Sequence, residues 1–118
     1  MQKWKRMTPA VLAMAGCLYS AGAQAAYLYW SSVPVRTPYV NICMSFAHDA
    51  LGRLGYRDIR VSATEVAGST NGAYVAITCL STLPKATAVV MAVGDNGTTV
   101  LQARDAVART MAGMVRID

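Results

Sequence analysis

The sequence predicts an α+β fold, a two-layer sandwich with a four-stranded, largely antiparallel sheet and two helices on one face. Two segments repeat apolar residues every three to four positions, which is typical of amphipathic helices. Between them the apolar residues alternate with polar ones, and turn-forming glycines and asparagines separate short segments, as in a meander of strands. The predicted order is β-α-β-β-β-α, within one domain over residues 26–118.

The first strand and the first helix are predicted over residues 27–54. Aromatic residues favour a strand over residues 27–32. Thr37 and Pro38 are typical of a helix start, with the hydroxyl capping a free amide and the proline at the first helical position. The apolar face of this helix contains Val40, Cys43, Ala47, Ala50, Leu51 and Leu54. Gly55 supplies the left-handed residue that ends the helix.

Three further strands are predicted between the two helices. Alternation over residues 58–64 predicts the second strand, and the Gly-Ser-Thr-Asn-Gly segment 68–72 predicts a turn. The third strand covers residues 73–80, with Cys79 among the side chains on its apolar face. A continuous apolar run over residues 87–93 predicts a well-covered fourth strand.

The second helix follows a turn at residues 94–97. Thr99 and Gln102 match a capping box, in which each side chain bonds a free amide at the helix start. Asp105 and Arg109 lie one helical turn apart, where they can pair. The apolar stripe of this helix contains Val100, Ala103, Val107, Met111 and Met114.

Residues 1–25 are predicted to be a cleaved signal peptide. Lys3, Lys5 and Arg6 form a basic start, residues 7–19 form a short apolar run, and Ala23-Gln24-Ala25 is a small-x-small cleavage site. The mature chain is therefore expected in the periplasm or secreted. An alternative is lipoprotein anchoring through Cys17, because the preceding residues loosely resemble a lipoprotein signal.

Charge and hydropathy exclude two classes of partner for the mature chain. The whole chain carries a net charge of +5, but three of these charges lie in the leader, which leaves +2. The remaining basic residues are scattered, whereas nucleic-acid-binding proteins cluster them on one face. We therefore expect no nucleic acid partner. No second apolar run approaches the length of a membrane span.

Cleavage of the leader changes the number of cysteines in the mature chain. Cleavage removes Cys17 and leaves Cys43 and Cys79, which pair readily in an oxidising compartment. Both lie on the predicted core faces of their elements, so we expect a structural disulfide that stabilises the fold by about 4 kcal/mol. The alternatives are a redox dithiol or two buried free thiols. Two cysteines and one histidine are too few ligands for an expected metal site.

Catalysis has little support in the sequence. His48 is the only histidine, and its neighbour Asp49 points about 100° away around the helix, so the two are poorly placed as a base and its orienting group. No nucleophile elbow, phosphate-binding loop or zinc-protease motif is present. We expect no catalytic residues and no cofactor. A small enzyme or thiol-redox accessory protein, using His48 or the cysteines, remains the alternative.

Two groups of residues are candidates for a binding surface. Tyr27, Tyr29 and Trp30, together with Tyr39, offer aromatic contact area, unless their rings fill the core. The sheet face away from the helices is expected to be small and polar, and to contain Arg60, Ser62, Thr64, Tyr74, Ala76 and Thr78. Such a face can be solvated, pair two copies of the chain or receive a ligand. The candidate binding residues are Tyr27, Tyr29, Trp30, Arg60 and Tyr74.

The layout also resembles small exported bacterial families of unknown function. The resemblance is carried by a signal peptide, an early helix with one cysteine, an Ile77-Thr78-Cys79 strand and a Val89-Val90-Met91 strand. It implies no activity and no site residues. The sequence as a whole predicts a non-enzymatic binding or interaction module, whose partner is an envelope protein, a small ligand or a second copy in a homodimer.

Overall fold

The computed structural model describes residues 26–116, so the predicted leader lies outside the described residues. The fold is α+β with five strands and two helices, which confirms the predicted class and adds one strand to the predicted sheet. In chain order the elements are β1 (Tyr27–Pro34), α1 (Val40–Arg53), β2 (Arg57–Val61), β3 (Glu65–Thr70), β4 (Ala73–Leu80), β5 (Thr87–Gly94) and α2 (Gly97–Gly113).

The five strands form one antiparallel sheet in the order β1-β5-β4-β3-β2. Strands β2 to β5 form an antiparallel meander with one strand more than predicted, because short turns join strands that are neighbours in the sheet. Strand β1 pairs with β5 over its full length, from Tyr27 opposite Gly94 to Pro34 opposite Thr87. Strand β1 therefore lies at one edge of the sheet, and α1 connects it to β2 at the other edge.

Both helices pack on the same face of the sheet, as predicted. Helix α1 contacts β2, β3 and β4, whereas α2 contacts β1, β4 and β5, and the two helices contact each other. Between the helices and the sheet lies one hydrophobic core. Its largest fully buried side chains include Leu51, Val66, Val75, Ile77, Val90, Val100, Val107 and Met111.

The strand predicted over residues 58–64 is present as β2 but ends earlier than predicted, and an additional strand, β3, follows it. Strand β2 ends at Val61, and the amide of Ser62 donates a hydrogen bond of 2.8 Å to the carbonyl of Glu65, which turns the chain into β3. The predicted turn at residues 68–72 is correspondingly shorter, since Gly68 belongs to β3. A Cβ on Gly68 would lie 3.3 Å from the Arg57 carbonyl oxygen, so this position in the strand has little room for a side chain.

Local signals near the helix ends are partly confirmed. Gly55 has a φ of 81°, and this left-handed residue follows α1 as predicted. At the other end of α1, the Thr37 hydroxyl accepts a hydrogen bond from the amide of Tyr39, but the helix begins only at Val40. Pro38 thus lies before the helix and not at its first position.

The predicted capping box of α2 is wrong, because the helix begins earlier than Thr99. The side chain of Asn96 accepts a hydrogen bond of 2.9 Å from the amide of Thr99, so Asn96 is the cap. Asp105 forms its ion pair with the neighbouring Arg104, at 2.7 Å, and not with Arg109.

Candidate functional site

The face of the sheet that points away from the helices has no covering layer among the described residues. We call its part on β1, β5 and β4 the open face. Strand register assigns twelve residues to it, because they alternate with the core residues Val75, Ile77 and Cys79 and their cross-strand neighbours. These are Leu28, Trp30, Ser32, Pro34, Thr87, Val89, Met91, Val93, Tyr74, Ala76, Thr78 and Leu80.

The centre of the open face is apolar. Trp30, Met91 and Ala76 lie opposite one another on adjacent strands. Their exposed fractions are 59% for Trp30, 40% for Met91 and 7% for Ala76. The exposed surface is thus largest at the β1 edge, where Leu28 is a further exposed apolar side chain.

A shallow depression lies in this apolar region. Leu28, Tyr74, Met91 and Val93 line it around the small side chain of Ala76, and its volume is about 100 Å³. Trp30 stands next to it, directly across the strands from Met91. The open face therefore combines a projecting indole ring with a cavity large enough for part of an apolar side chain.

Charged residues lie at the margins of this surface, and one of them is Arg57, which is opposite Ser69 and so in line with Tyr74. None of the twelve residues of the open face is charged, whereas Arg60 and Glu65 follow on β2 and β3. These two line a second depression, of about 150 Å³, together with Tyr74. Tyr74, Ala76 and Thr78 lie on the open face as expected, but the expectation of a small, polar face is wrong because β1 and β5 add large apolar side chains to it. Of the residues expected there, Ser62 and Thr64 lie in the turn between β2 and β3.

The structure divides the predicted binding residues between the two faces of the sheet. Trp30 and Tyr74 lie on the open face, and Arg60 lies at its charged margin. Tyr27 and Tyr29 lie on the helix side, with stacked rings whose centroids are 6.4 Å apart. Tyr39 is exposed just before α1.

Arg104 of α2 holds the aromatic segment in place. Its guanidinium carbon lies 6.0 Å from the centroid of the Tyr29 ring, in a cation–π arrangement. The same side chain donates a hydrogen bond of 3.2 Å to the carbonyl of Trp30. The ring of Tyr29 and the backbone of Trp30 are thus attached to α2, which leaves the Trp30 side chain on the opposite face.

Sequence reasoning missed Leu28 and Met91. The apolar run over residues 87–93 is covered on one face only, where Ala88, Val90 and Ala92 are buried. Its other residues lie on the open face. The sequence contained the information needed to find them. Because the two predicted helices cover one face of the sheet only, every second residue of a fully apolar strand has to lie on the uncovered face.

The predicted disulfide between Cys43 and Cys79 is confirmed. It joins α1 to β4, with an S–S distance of 2.06 Å and a Cα–Cα distance of 6.1 Å. The exposed fractions of the two residues are 0% and 2%. Because thiol–disulfide exchange requires direct attack on a sulfur atom, this buried bond is poorly accessible to an attacking thiolate in the folded protein.

The remaining candidates for chemistry do not form a common site. His48 and Asp49 are exposed on α1, away from both depressions of the sheet. Within residues 26–116 there is no group of three metal-ligating side chains. The same residues contain no helix that is long and apolar enough to cross a membrane. Burial raises the pKa of the Tyr56 hydroxyl, which belongs to the core.

Comparison of the chain with models of known protein families, with curated proteins and with solved structures gave no significant match.

Proposed function

We propose that the mature chain is an exported, non-enzymatic interaction module that binds a protein partner through the open face of its sheet. The observation that carries the proposal is the uncharged apolar surface around Trp30 and Met91. The largest apolar patch on a typical soluble monomer covers about 300–600 Å² and is often functional, and larger patches mark interaction sites. Exposed tryptophan and tyrosine are also enriched among residues that contribute most to protein binding.

Two features support export to an oxidising compartment. The first is the predicted leader over residues 1–25, and the second is the disulfide between Cys43 and Cys79. Disulfides persist in the periplasm and outside the cell but are rare in the cytosol. A disulfide-stabilised module keeps its binding surface intact where no reducing system or ATP-dependent chaperone maintains it.

Photo-crosslinking in living cells tests the proposal. The full chain is produced with p-benzoylphenylalanine in place of Trp30, and in a control in place of Leu101. Leu101 is also exposed, at 37% against 59% for Trp30, but lies on α2, away from the open face. We expect discrete protein adducts from position 30 and none from position 101. Adducts that are absent from position 30, or equal from both positions, would contradict the proposal.

A further inference from the structure

We propose that the partner on the open face is a second copy of this chain, so that two sheets pack face to face with their helices outside. This inference rests on the proposed function and names its partner. Twofold symmetric pairing of one surface with itself is the commonest arrangement of soluble oligomers. Two twisted antiparallel sheets pack in this way about 10 Å apart, with side chains from both inner faces interdigitating.

The area of the open face fits a stable dimer. Leu28, Trp30, Tyr74 and Met91 are each exposed by 40% or more. Together they leave on the order of 400 Å² of apolar side chain in water, since aromatic and long apolar residues each offer about 150–250 Å². The other eight residues extend the surface over three strands of eight residues. They bring it to roughly 800 Å², which is the contribution of one partner to an interface of standard size.

Charge also favours a second copy. A surface that pairs with itself brings each of its charges near the same charge of the other copy, and like charges inside an interface are strongly unfavourable. The twelve residues of the open face include no charged side chain. The nearby margin carries both signs: Arg60 and Glu65 line one depression, and Arg57 lies beside them in line with Tyr74. The chain therefore opposes its own association only weakly, whereas an acidic or basic partner finds no complementary charge on this face.

The shape of the open face is suited to twofold symmetric pairing. Trp30 projects from β1, beside the depression that extends from Leu28 on the same strand to Ala76 on β4. In a symmetric dimer each copy supplies one projecting ring and one depression. Every favourable contact is thereby made twice, and so is every disruption by a substitution.

Analytical ultracentrifugation of the purified, disulfide-containing protein tests the inference. The full chain is expressed, and its folded product is compared with the variants Met91→Lys and Leu101→Lys. The two positions are 40% and 37% exposed, but only Met91 lies on the open face. We expect a dimer for the unchanged protein and for Leu101→Lys. Met91→Lys should weaken association at least about 100-fold, because each dimer would bury two unpaired ammonium groups.

Fluorescence gives a second readout that does not depend on hydrodynamics. After removal of the leader, which contains Trp4, Trp30 is the only tryptophan. Its emission should shift to the blue as the concentration rises and the indole leaves water. Far-UV circular dichroism of each variant verifies that it is folded, and Leu28→Lys replaces Met91→Lys if the latter does not fold.

The outcomes separate this inference from the proposed function. Interfaces of standard size have dissociation constants in the micromolar range or below. A protein that stays monomeric up to about 100 µM therefore contradicts the proposed dimer. A dimer that Met91→Lys leaves unchanged overturns it as well. If crosslinks from position 30 then identify a different protein, the proposed function stands and the partner is heterologous. Without crosslinks from that position, both proposals are wrong.

Discussion

Two neighbouring rows of side chains run across the same strands but lie on opposite faces of the sheet and differ in burial. Val66, Ile77 and Val90 lie opposite one another on the helix side, and each is fully buried. One residue further along each strand, Ala67, Ala76 and Met91 form a row on the other side. In the second row exposure rises toward β1, where Trp30 continues it. A shift of one residue thus separates the residues that hold the fold together from those available to a partner.

This difference follows from the number of helices. A sheet with helices on one side needs apolar residues at every second position only, and its other face is usually polar. Strand β5 departs from this rule, since Val89, Met91 and Val93 are apolar on the open face. The departure has no explanation in the packing of the described chain itself, which is why we assign it to binding.

Removal of the disulfide, which joins α1 to the covered face of the sheet, is expected to have the largest effect on stability. Cys43→Ser, Cys79→Ser and the double variant should each lose about 4 kcal/mol of unfolding free energy, because each removes the same bond. Chemical denaturation of the three proteins measures the losses. Clearly unequal values would mean that the two sulfur atoms act independently.

A matched pair of truncations compares the two faces directly. Ile77→Ala should cost about 3 kcal/mol of unfolding free energy, because it leaves a cavity in the covered layer. Met91→Ala should cost less than about 1 kcal/mol in dilute solution, where the chain is monomeric, since Met91 already contacts water there. Similar losses for the two variants would remove the distinction between the faces.

Substitution of Asn96 tests whether this residue caps α2, one of the two helices that cover the sheet. Asn96→Ala should destabilise the fold by about 1 kcal/mol, because the amide of Thr99 loses its acceptor at the helix start. Thr99→Ala is the control, and we expect it to cost less, since it keeps that amide. A larger loss from Thr99→Ala in thermal denaturation would restore the predicted capping box.

The smallest effect concerns pH and Tyr56, a core residue beside the start of β2. Its hydroxyl has a pKa raised above the ordinary 10.0 by burial, so the folded state holds the proton more tightly than the unfolded state does. The resulting stability is present below that ordinary value and is lost as pH rises through the raised value. Urea unfolding at increasing pH should show a steeper decline for the unchanged chain than for Tyr56→Phe. Parallel curves would contradict this.

The sequence predicted those parts of the fold in which periodicity and burial agree. Helix α1, strand β4 and the disulfide followed from apolar residues that recur on one face. Strand β3 could not be found in this way, because it contains Gly68 at a position where close backbone packing, and not strand propensity, requires glycine.

The candidate site was predictable only in part. Trp30 and Tyr74 were recognised as aromatic contacts, but their neighbours depend on which strands pair. Met91 meets Trp30 only because β1 lies next to β5, and this pairing spans about half of the chain. Local patterns do not determine such long-range register, and an apolar run alone does not show how many of its faces are covered.

The edges of the sheet limit how the molecule can aggregate. An exposed edge strand is a template for fibrils unless its backbone groups are occupied or its geometry is irregular. In β1, Pro34 has no amide hydrogen, and the carbonyl of Trp30 already accepts a hydrogen bond from Arg104. At the opposite edge, β2 has five residues, a register shift and Asp58 with a φ of 54°. Both edges are therefore poor templates for open-ended addition of strands from other molecules.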